Sequence, residues 1–197
     1  YGRGDTLHTN GYFQYSGTTL NVATTTSPTT TTATPHTSLL SNGSFEVTSI
    51  AIADGASDTQ LSANAVTSWT SSGATVEVWH DGYNEQPGTN GRNVVEIDGT
   101  NGALSQMIHG TTPGTVYGLT FDLAGQKGFI DSSKVEVVWN GNVVTTVTPT
   151  DSDFHTYKFN VTATGMDTLT FRSTAGDTDH YGALLDNVIL HDHTVVV

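Results

Sequence analysis

The chain has 197 residues, in which 6 Lys and Arg face 19 Asp and Glu, and its formal net charge at pH 7 is −13. So negative a protein is not expected to bind nucleic acid or an anionic membrane surface, because both would repel it and binding to either depends on basic side chains. The sequence has no cysteine, which excludes disulfide bonds, zinc–thiolate sites and a thiol nucleophile.

Residues 1–22 are predicted to be an N-terminal extension or the end of a preceding domain. Residues 11–22 alternate aromatic and polar side chains, which suits one short hairpin, but a single hairpin is too small to fold alone. The triplet Arg3-Gly4-Asp5 matches an integrin-recognition motif that also arises by chance, and we give it no role. No apolar run approaches the roughly 18 residues of a membrane span, so membrane insertion is not expected.

Residues 23–38 form a low-complexity segment rich in Thr and Pro, ATTTSPTTTTATPHTS. Pro28 and Pro35 favour an extended, polyproline-like backbone, which predicts a linker or a strap on the surface. Residues 39–197 then form one domain that is large enough to bury its own core. Because the chain starts at Tyr1 without a leader segment, we expect a monomeric module of a longer protein.

Residues 39–190 contain short runs in which apolar and polar side chains alternate, the pattern of strands with one buried face. The runs lie at 76–79, 95–98, 119–123, 135–139, 157–161, 169–171 and 185–190. Turns rich in Gly and Asn separate them, and Asn140-Gly141-Asn142 between two Val-rich runs predicts a tight hairpin. No amphipathic stretch with helical spacing is longer than about one turn. The sequence therefore predicts an all-β domain with two antiparallel sheets.

The order of seven short motifs resembles the galactose-binding-like jelly roll. These motifs are LLSNGSFE at 39–46, SW at 68–69, VEVW at 76–79, VEIDG at 95–99, LSQ at 104–106, YGLTF at 117–121 and GALLDNV at 182–188. The fold occurs in calcium-containing carbohydrate-binding modules and in ligand-binding domains of bacterial RTX adhesins, some of which bind peptide C-termini. The resemblance implies a jelly-roll β-sandwich over about residues 39–190.

The resemblance also implies a structural calcium ion. Glu46 from the opening N-G-S-F-E strand and Asp186 from the closing L-D-N-V strand would bind Ca²⁺, with help from backbone carbonyls, and so tie the first strand to the last. Calcium takes six to eight oxygen ligands, and carboxylates are common among them. In the alternative interpretation, Glu46 is a solvated strand end and Asp186 caps a turn with Asn187.

The acidic loop at 175–182 is the second cation candidate. Asp177 and Asp179 stand two residues apart between glycines, so both carboxylates can face one point, and Tyr181 follows them. The sequence lacks the rest of an EF-hand loop, and a solvated turn is an equal alternative. A jelly roll can bring further ligand-binding candidates beside this loop: His80, Asp81, Asp122 and Asp131.

The segment at 80–93, HDGYNEQPGTNGRN, is too long for a tight hairpin, and long loops on a rigid scaffold often carry binding residues. In it, Tyr83 offers an aromatic contact and Arg92 offers a bidentate clamp for a carboxylate or sugar hydroxyls. The alternative is a loop without function in which Arg92 pairs with a neighbouring acid.

The three tryptophans have different predicted roles. Trp79 shares parity with Glu77, so it is predicted on the less buried strand face, where it is the best candidate to stack on a sugar. Packing against apolar neighbours at a sheet edge is the alternative for Trp79. Trp139 shares parity with Val135 and Val137 and is predicted in the core, and Trp69 is predicted to pin a loop.

The sequence contains no H-E-x-x-H, G-x-S-x-G or S-x-x-K motif, and His191-Asp192-His193 is consistent with a solvated tail. Hydrolysis by paired carboxylates has no positive support among the 19 acids, so we expect a protein that is not an enzyme.

The leading hypothesis is a calcium-dependent ligand-binding module of a large adhesin on the bacterial cell surface, extracellular and active in cell adhesion or biofilm formation. Its ligand is expected to be the peptide C-terminus of a surface protein, because bound Ca²⁺ would let so acidic a domain hold a carboxylate. One alternative is a calcium-dependent, lectin-like carbohydrate-binding module that recognises a glycan on the target cell. The other is a structural spacer domain that calcium makes rigid.

Overall fold

The computed structural model describes residues 38–53, 58–98, 102–174 and 179–197. The N-terminal extension at 1–22, nearly all of the predicted linker, and Asp177 of the acidic loop lie outside the described residues.

Within the described ranges, the strands form two antiparallel sheets. The six-stranded sheet has the order β1 (Asp58–Ser62), β3 (Thr75–His80), β4 (Asn93–Asp98), β11 (Gly182–His191), β6 (Val116–Gly125) and β9 (His155–Thr162). The five-stranded sheet has the order β2 (Thr70–Ser71), β5 (Ala103–His109), β10 (Met166–Ser173), β7 (Val135–Trp139) and β8 (Asn142–Val147). Short 3₁₀ helices lie at Tyr83–Glu85 and Ile130–Ser132. The predicted all-β class and jelly-roll sandwich are confirmed.

The core lies between the two sheets, and the two-residue period of the strands determines which side chains enter it. In β6, Leu119, Phe121 and Leu123 are fully buried in the main core, while Asp122 faces the opposite side of the sheet. Among the described residues, no helix is long and apolar enough to cross a membrane.

The hairpin predicted at Asn140-Gly141 is confirmed. β7 ends at Trp139 and β8 begins at Asn142, so the loop has two residues. Asn140 has a φ of 51° and Gly141 a φ of 79°. Two consecutive positive φ angles are those of a type I′ turn, in which Asn-Gly is the preferred pair.

The predictions for Trp139 and Trp69 are also confirmed. Trp139 is buried in the main core, where its Nε1–H donates to the carbonyl of Thr162 at 2.9 Å. Trp69 is buried against Phe45, with ring centroids 5.4 Å apart, and its Nε1–H donates to the carbonyl of Asn42 at 3.0 Å. Trp69 thereby holds the segment that contains Asn42 against the sandwich.

The opening segment is not the strand that the resemblance implied. Asn42 and Phe45 have φ angles of 50° and 59°, which strand residues do not adopt. The Asn42 side chain closes the turn, since its Oδ1 accepts from the N–H of Val47 at 3.0 Å and its Nδ2 donates to the Val47 carbonyl at 2.9 Å. The turn places Phe45 in the core and turns Glu46 away from it.

Candidate functional site

The outer face of the six-stranded sheet carries a small apolar cluster of its own. Its buried members are Trp79, Val94, Ala124 and Leu184, with Phe154 packed against them. Each of these strand residues neighbours a residue of the main core, so strand parity directs it to the opposite face. An apolar cluster on an outer face has to be covered, and the segment 81–92 runs over it.

Gln86 fastens the segment 81–92 at one end of the sheet. Its Nε2 donates to the carbonyls of Gly125 at 2.9 Å and Ser152 at 3.0 Å, and its Oε1 accepts from the N–H of Lys127 at 2.9 Å. Gln86 is itself buried. Its amide therefore satisfies backbone groups of two other loops from inside the structure.

Trp79 lies on the outer face, as its parity predicts, but it is not an exposed stacking surface. It is only 2% exposed, and Tyr83 packs edge-on against it with ring centroids 4.9 Å apart. A ligand needs an open aromatic face for stacking, and Tyr83 covers this one. The prediction that Trp79 stacks on a sugar is therefore wrong. The alternative, in which Trp79 packs against neighbouring side chains, is confirmed.

Asp186 fastens the middle of the segment 81–92 to the sheet. Its Oδ2 lies 2.7 Å from the backbone N of Thr89, 2.8 Å from that of Asn90 and 3.1 Å from Thr89 Oγ1. Its Oδ1 accepts from the N–H of Asn187 at 2.6 Å. Asp186 is 0% exposed. This burial raises the pKa of Asp186 to about 6, although the hydrogen bonds from Asn90, Asn187 and Thr89 act in the opposite direction.

Asp122 lies directly opposite Asp186 in the β6–β11 pair, and it also contacts the segment 81–92. Its Oδ2 accepts from Thr89 Oγ1 at 2.7 Å and from Asn187 Nδ2 at 3.0 Å, and its Oδ1 accepts from Thr156 Oγ1 at 2.6 Å. Asp122 is buried. The structure thus places this predicted ligand-binding residue inside the scaffold.

Glu46 fastens the last part of the segment. Its Oε1 accepts from the backbone N–H groups of Arg92 at 2.8 Å and Asn93 at 2.7 Å. Gly91 packs so closely that an added Cβ would lie 2.5 Å from Glu46 Cδ, and its φ is 111°. Only glycine combines that φ with so close an approach.

The residues present do not fit a calcium ion held by Glu46 and Asp186. A cation needs free carboxylate lone pairs, but the two Asp186 oxygens already accept from three backbone N–H groups, those of Thr89, Asn90 and Asn187. In the part of the chain that the structure describes, no three His, Asp or Glu side chains converge in a way that could hold a metal ion. Asp186 and Glu46 accept from N–H groups of one chain segment and so fasten that segment directly.

Arg92, Asp81 and His80 form a second small group. The Arg92 guanidinium makes a bidentate ion pair with Asp81, which is the pairing expected in the alternative interpretation of this loop. His80 is buried, its Nδ1 is hydrogen bonded to Asn93 Oδ1, and its Nε2 lies 3.4 Å from Asp81 Oδ2. Ligand binding by these residues stays a prediction.

Phe129 and Tyr181 form an exposed aromatic pair on two neighbouring loops. Their ring centroids are 3.4 Å apart and their planes differ by 11°. The residues are 38% and 36% exposed, so part of the stacked aromatic surface is open to a ligand. Tyr181 was predicted from its loop, but Phe129 was missed. An aromatic residue within the turn-rich KGFID stretch was the signal that could have identified it.

Acidic groups border the aromatic pair. Asp179 accepts from Ser132 Oγ and from the N–H of Tyr181 at 3.1 Å, so it joins the loop of Tyr181 to the second 3₁₀ helix. Asp131 precedes Ser132 in this helix and is exposed. The structure therefore brings together three of the predicted residues, Asp131, Asp179 and Tyr181.

A buried polar network supports this surface from below. Ser133 Oγ accepts from the N–H of Gln126 at 2.9 Å and lies 3.0 Å and 3.2 Å from the carbonyls of Phe129 and Gly182. Gln126 Oε1 accepts from the N–H of Gly182 at 3.0 Å. Both loops are thus fixed to one another beneath the rings, and such support preorganises a binding surface. Aromatic surface bordered by carboxylate oxygens can contact a ligand that has an apolar face and hydroxyl groups.

Comparison with known proteins adds one family and two relatives. Residues 38–191 match the family described as "Protein of unknown function (DUF642)". The multifunctional-autoprocessing repeats-in-toxin of Vibrio cholerae is 34% identical over 101 residues, and that of Vibrio vulnificus is 35% identical over 101 residues. Each alignment covers 50% of this chain and 2% of the toxin, so the chain spans a very small part of the length of these relatives.

Among solved structures, the CBM36-1 domain of a multidomain xylanase from the hindgut metagenome of Trinervitermes trinervoides has a TM-score of 0.49 and 18% identity, covering 70% of this chain and 99% of that one. A family 35 carbohydrate-binding module from Clostridium thermocellum has a TM-score of 0.48 and 15% identity, covering 68% and 98%. A CBM36 module in complex with calcium and xylotriose has a TM-score of 0.40 and 18% identity, covering 51% and 80%.

Proposed function

The chain belongs to the DUF642 family, and from its described surface we propose that it is a non-catalytic ligand-binding module of a large extracellular bacterial protein, with a carbohydrate as its ligand. The exposed stacked pair of Phe129 and Tyr181 is the observation that supports this proposal. Sugar rings present apolar C–H faces that pack against such aromatic surface. Exposed apolar surface that is bordered by polar groups is typical of ligand-binding sites.

The acids beside the rings favour a hydroxylated ligand over an anionic one. The carboxylates of Asp131 and Asp179 can accept hydrogen bonds from sugar hydroxyls, whereas they would repel the carboxylate of a peptide C-terminus. Arg92, the predicted clamp for a carboxylate, is already paired with Asp81. A neutral glycan thus fits the charges of this surface without help from an ion.

The place of the module in a long extracellular protein is supported by its curated relatives. The two Vibrio toxins match 50% of this chain, and this matched segment is 2% of their length. A ligand-binding domain of this kind would attach such a protein to a target cell, as an adhesin does.

A calcium-dependent peptide-binding module is the second candidate. Asp131 precedes Ser132, whose Oγ donates to Asp179, and an ion held by the two carboxylates would reverse the repulsion of a peptide carboxylate. Asp177 belongs to the same acidic loop. In this candidate, calcium acts at the recognition surface. The third candidate is a structural spacer domain that recognises no ligand.

An array experiment distinguishes these functions. We expect the fluorescently labelled protein to bind members of a glycan array, with the same pattern in calcium and in EDTA. On a library of C-terminal peptides with amidated counterparts, we expect no binding that requires the free carboxylate. Binding only to free C-termini and only in calcium would overturn the carbohydrate proposal and favour the second candidate. Failure to bind either library, together with a large rise of Tm in calcium, would favour the spacer.

A further inference from the structure

A second pair of acids lies on the outer face of the six-stranded sheet, on two neighbouring strands. Glu77 and Glu96 are directly opposite each other in strands β3 and β4. The indole N–H of Trp79 lies between them, 2.8 Å from Glu77 Oε1 and 3.1 Å from Glu96 Oε2. A single N–H cannot neutralise two carboxylates, so the pair needs a proton or a cation to balance its charge.

A small cavity adjoins the pair where the two strands separate. The β3–β4 register runs from Glu77–Glu96 to His80–Asn93, and the cavity lies beyond the first of these pairs. Its volume is about 30 Å³, which is enough for a water molecule or a metal ion. The polar side chains that line it all carry oxygen: Gln60, Ser71, Thr75, Glu77 and Glu96.

One oxygen of this group has no partner. Glu96 is only 5% exposed, and its Oε1 is buried without a hydrogen bond in the part of the chain described. Burial, followed by the charge of Glu77 and a hydrogen bond with its side chain, raises the pKa of Glu96 to about 9, although the interactions with Trp79 and with the backbone of Gly182 act in the opposite direction. A buried carboxylate without a partner is strongly unfavourable, so a positive ligand or a proton has to stabilise it.

We propose that Glu77 and Glu96 bind a hard divalent cation such as Ca²⁺ at this cavity. Two carboxylates provide the charge, and neutral oxygens of Gln60 and Thr75 are available to complete the shell. Gln60 Nε2 donates to Glu77 Oε2, which leaves the Gln60 carbonyl oxygen for the ion. A donor set of oxygen without nitrogen or sulfur selects Ca²⁺ or a similar ion over transition metals.

The cation would brace the sheet where β3 and β4 separate. The proposed cation site shares no side chain with the proposed carbohydrate surface, although Glu96 interacts with the backbone of Gly182, which follows Tyr181. Loss of the ion should therefore lower the stability of the protein in calcium.

Terbium luminescence tests this site directly, because Tb³⁺ replaces Ca²⁺ and is sensitised by a nearby indole. Trp79 contacts both carboxylates, so excitation of tryptophan should produce Tb³⁺ emission that excess Ca²⁺ removes. We expect Glu77→Gln and Glu96→Gln each to weaken Tb³⁺ and Ca²⁺ binding by about tenfold or more. Trp79→Phe should abolish the Tb³⁺ emission, because it removes the sensitising indole. The heat of calcium binding measured by calorimetry should remain.

Asp153→Asn is the matched control, since Asp153 is an exposed acid on another loop. It should leave Tb³⁺ emission and calcium affinity unchanged. Circular dichroism verifies that the glutamine variants, which keep the shape of the side chain, remain folded. The proposal is overturned if the parent shows no calcium-sensitive emission, or if both glutamine variants bind Tb³⁺ and Ca²⁺ as the parent does. Either result would mean that a proton alone neutralises the pair.

Discussion

Replacing Asp167 with alanine is expected to lower the free energy of unfolding at pH 7 by about 1.5–3 kcal/mol, because four hydrogen-bond donors lose their charged acceptor. Asp167 is fully buried in β10. Its Oδ2 accepts from Thr111 Oγ1 at 2.5 Å, and its Oδ1 accepts from Asn140 Nδ2 at 2.6 Å and from the N–H and Oγ1–H of Thr164, both at 2.8 Å. One carboxylate thereby holds three turns together. Urea denaturation measures the loss.

Asp167 should also make the free energy of unfolding depend on pH in the acid range. Burial by itself would raise the pKa of Asp167, but the hydrogen bonds from Thr111, Asn140 and Thr164 outweigh it and lower the pKa to about 2. A carboxylate with a lowered pKa stabilises the fold above its unfolded value of 3.8, and this contribution disappears as the pH falls through about 2. The unfolding free energies of the parent and of Asp167→Ala should therefore converge at acid pH. A constant difference between pH 7 and pH 2 would contradict this role.

Replacing Asp186 with alanine is expected to cost about 3 kcal/mol and to release the segment 81–92 locally. The variant removes the acceptor of the backbone N–H groups of Thr89 and Asn90. Hydrogen exchange measured by NMR should therefore show these two amides losing protection before the core strands do. Added calcium should not restore the protection, since the carboxylate holds the segment without an ion.

Asp153→Ala serves as the control for both alanine variants, because Asp153 is exposed. Its unfolding free energy should stay within about 0.5 kcal/mol of the parent. If the Thr89 and Asn90 amides of Asp186→Ala keep parental protection, Asp186 does not fasten the segment. If calcium stabilised the parent but not Asp186→Ala, Asp186 would instead be a calcium ligand.

The sequence predicted most of the sandwich because strand parity is a local property. The alternating runs became strands, and Asn140-Gly141 formed its hairpin, since side-chain period and turn chemistry depend on adjacent residues. The strands β1, β2 and β5 were not among the predicted runs. In β1, DTQLS at 58–62 has only one buried residue, Leu61, and so has no apolar alternation.

Contacts between distant segments explain what the sequence did not predict. Acidic side chains in the motif positions of Glu46 and Asp186 suggested calcium, but whether a carboxylate faces an ion or N–H groups depends on a segment far away in the chain. Parity placed Trp79 on the correct face, but it could not indicate that Tyr83 would cover it. Phe129 and Tyr181 are 52 residues apart in the numbering, and only the fold brings their rings together.

Titration calorimetry with the strongest binder from the glycan array tests the proposed recognition surface most directly. Phe129→Ala and Tyr181→Ala should each weaken its Kd by about tenfold, which corresponds to the loss of about 1.4 kcal/mol of aromatic contact. Met107→Ala, which removes another exposed apolar side chain from the five-stranded sheet, should leave the Kd unchanged. Parental affinity in both aromatic variants would contradict the assignment of this surface as the ligand site.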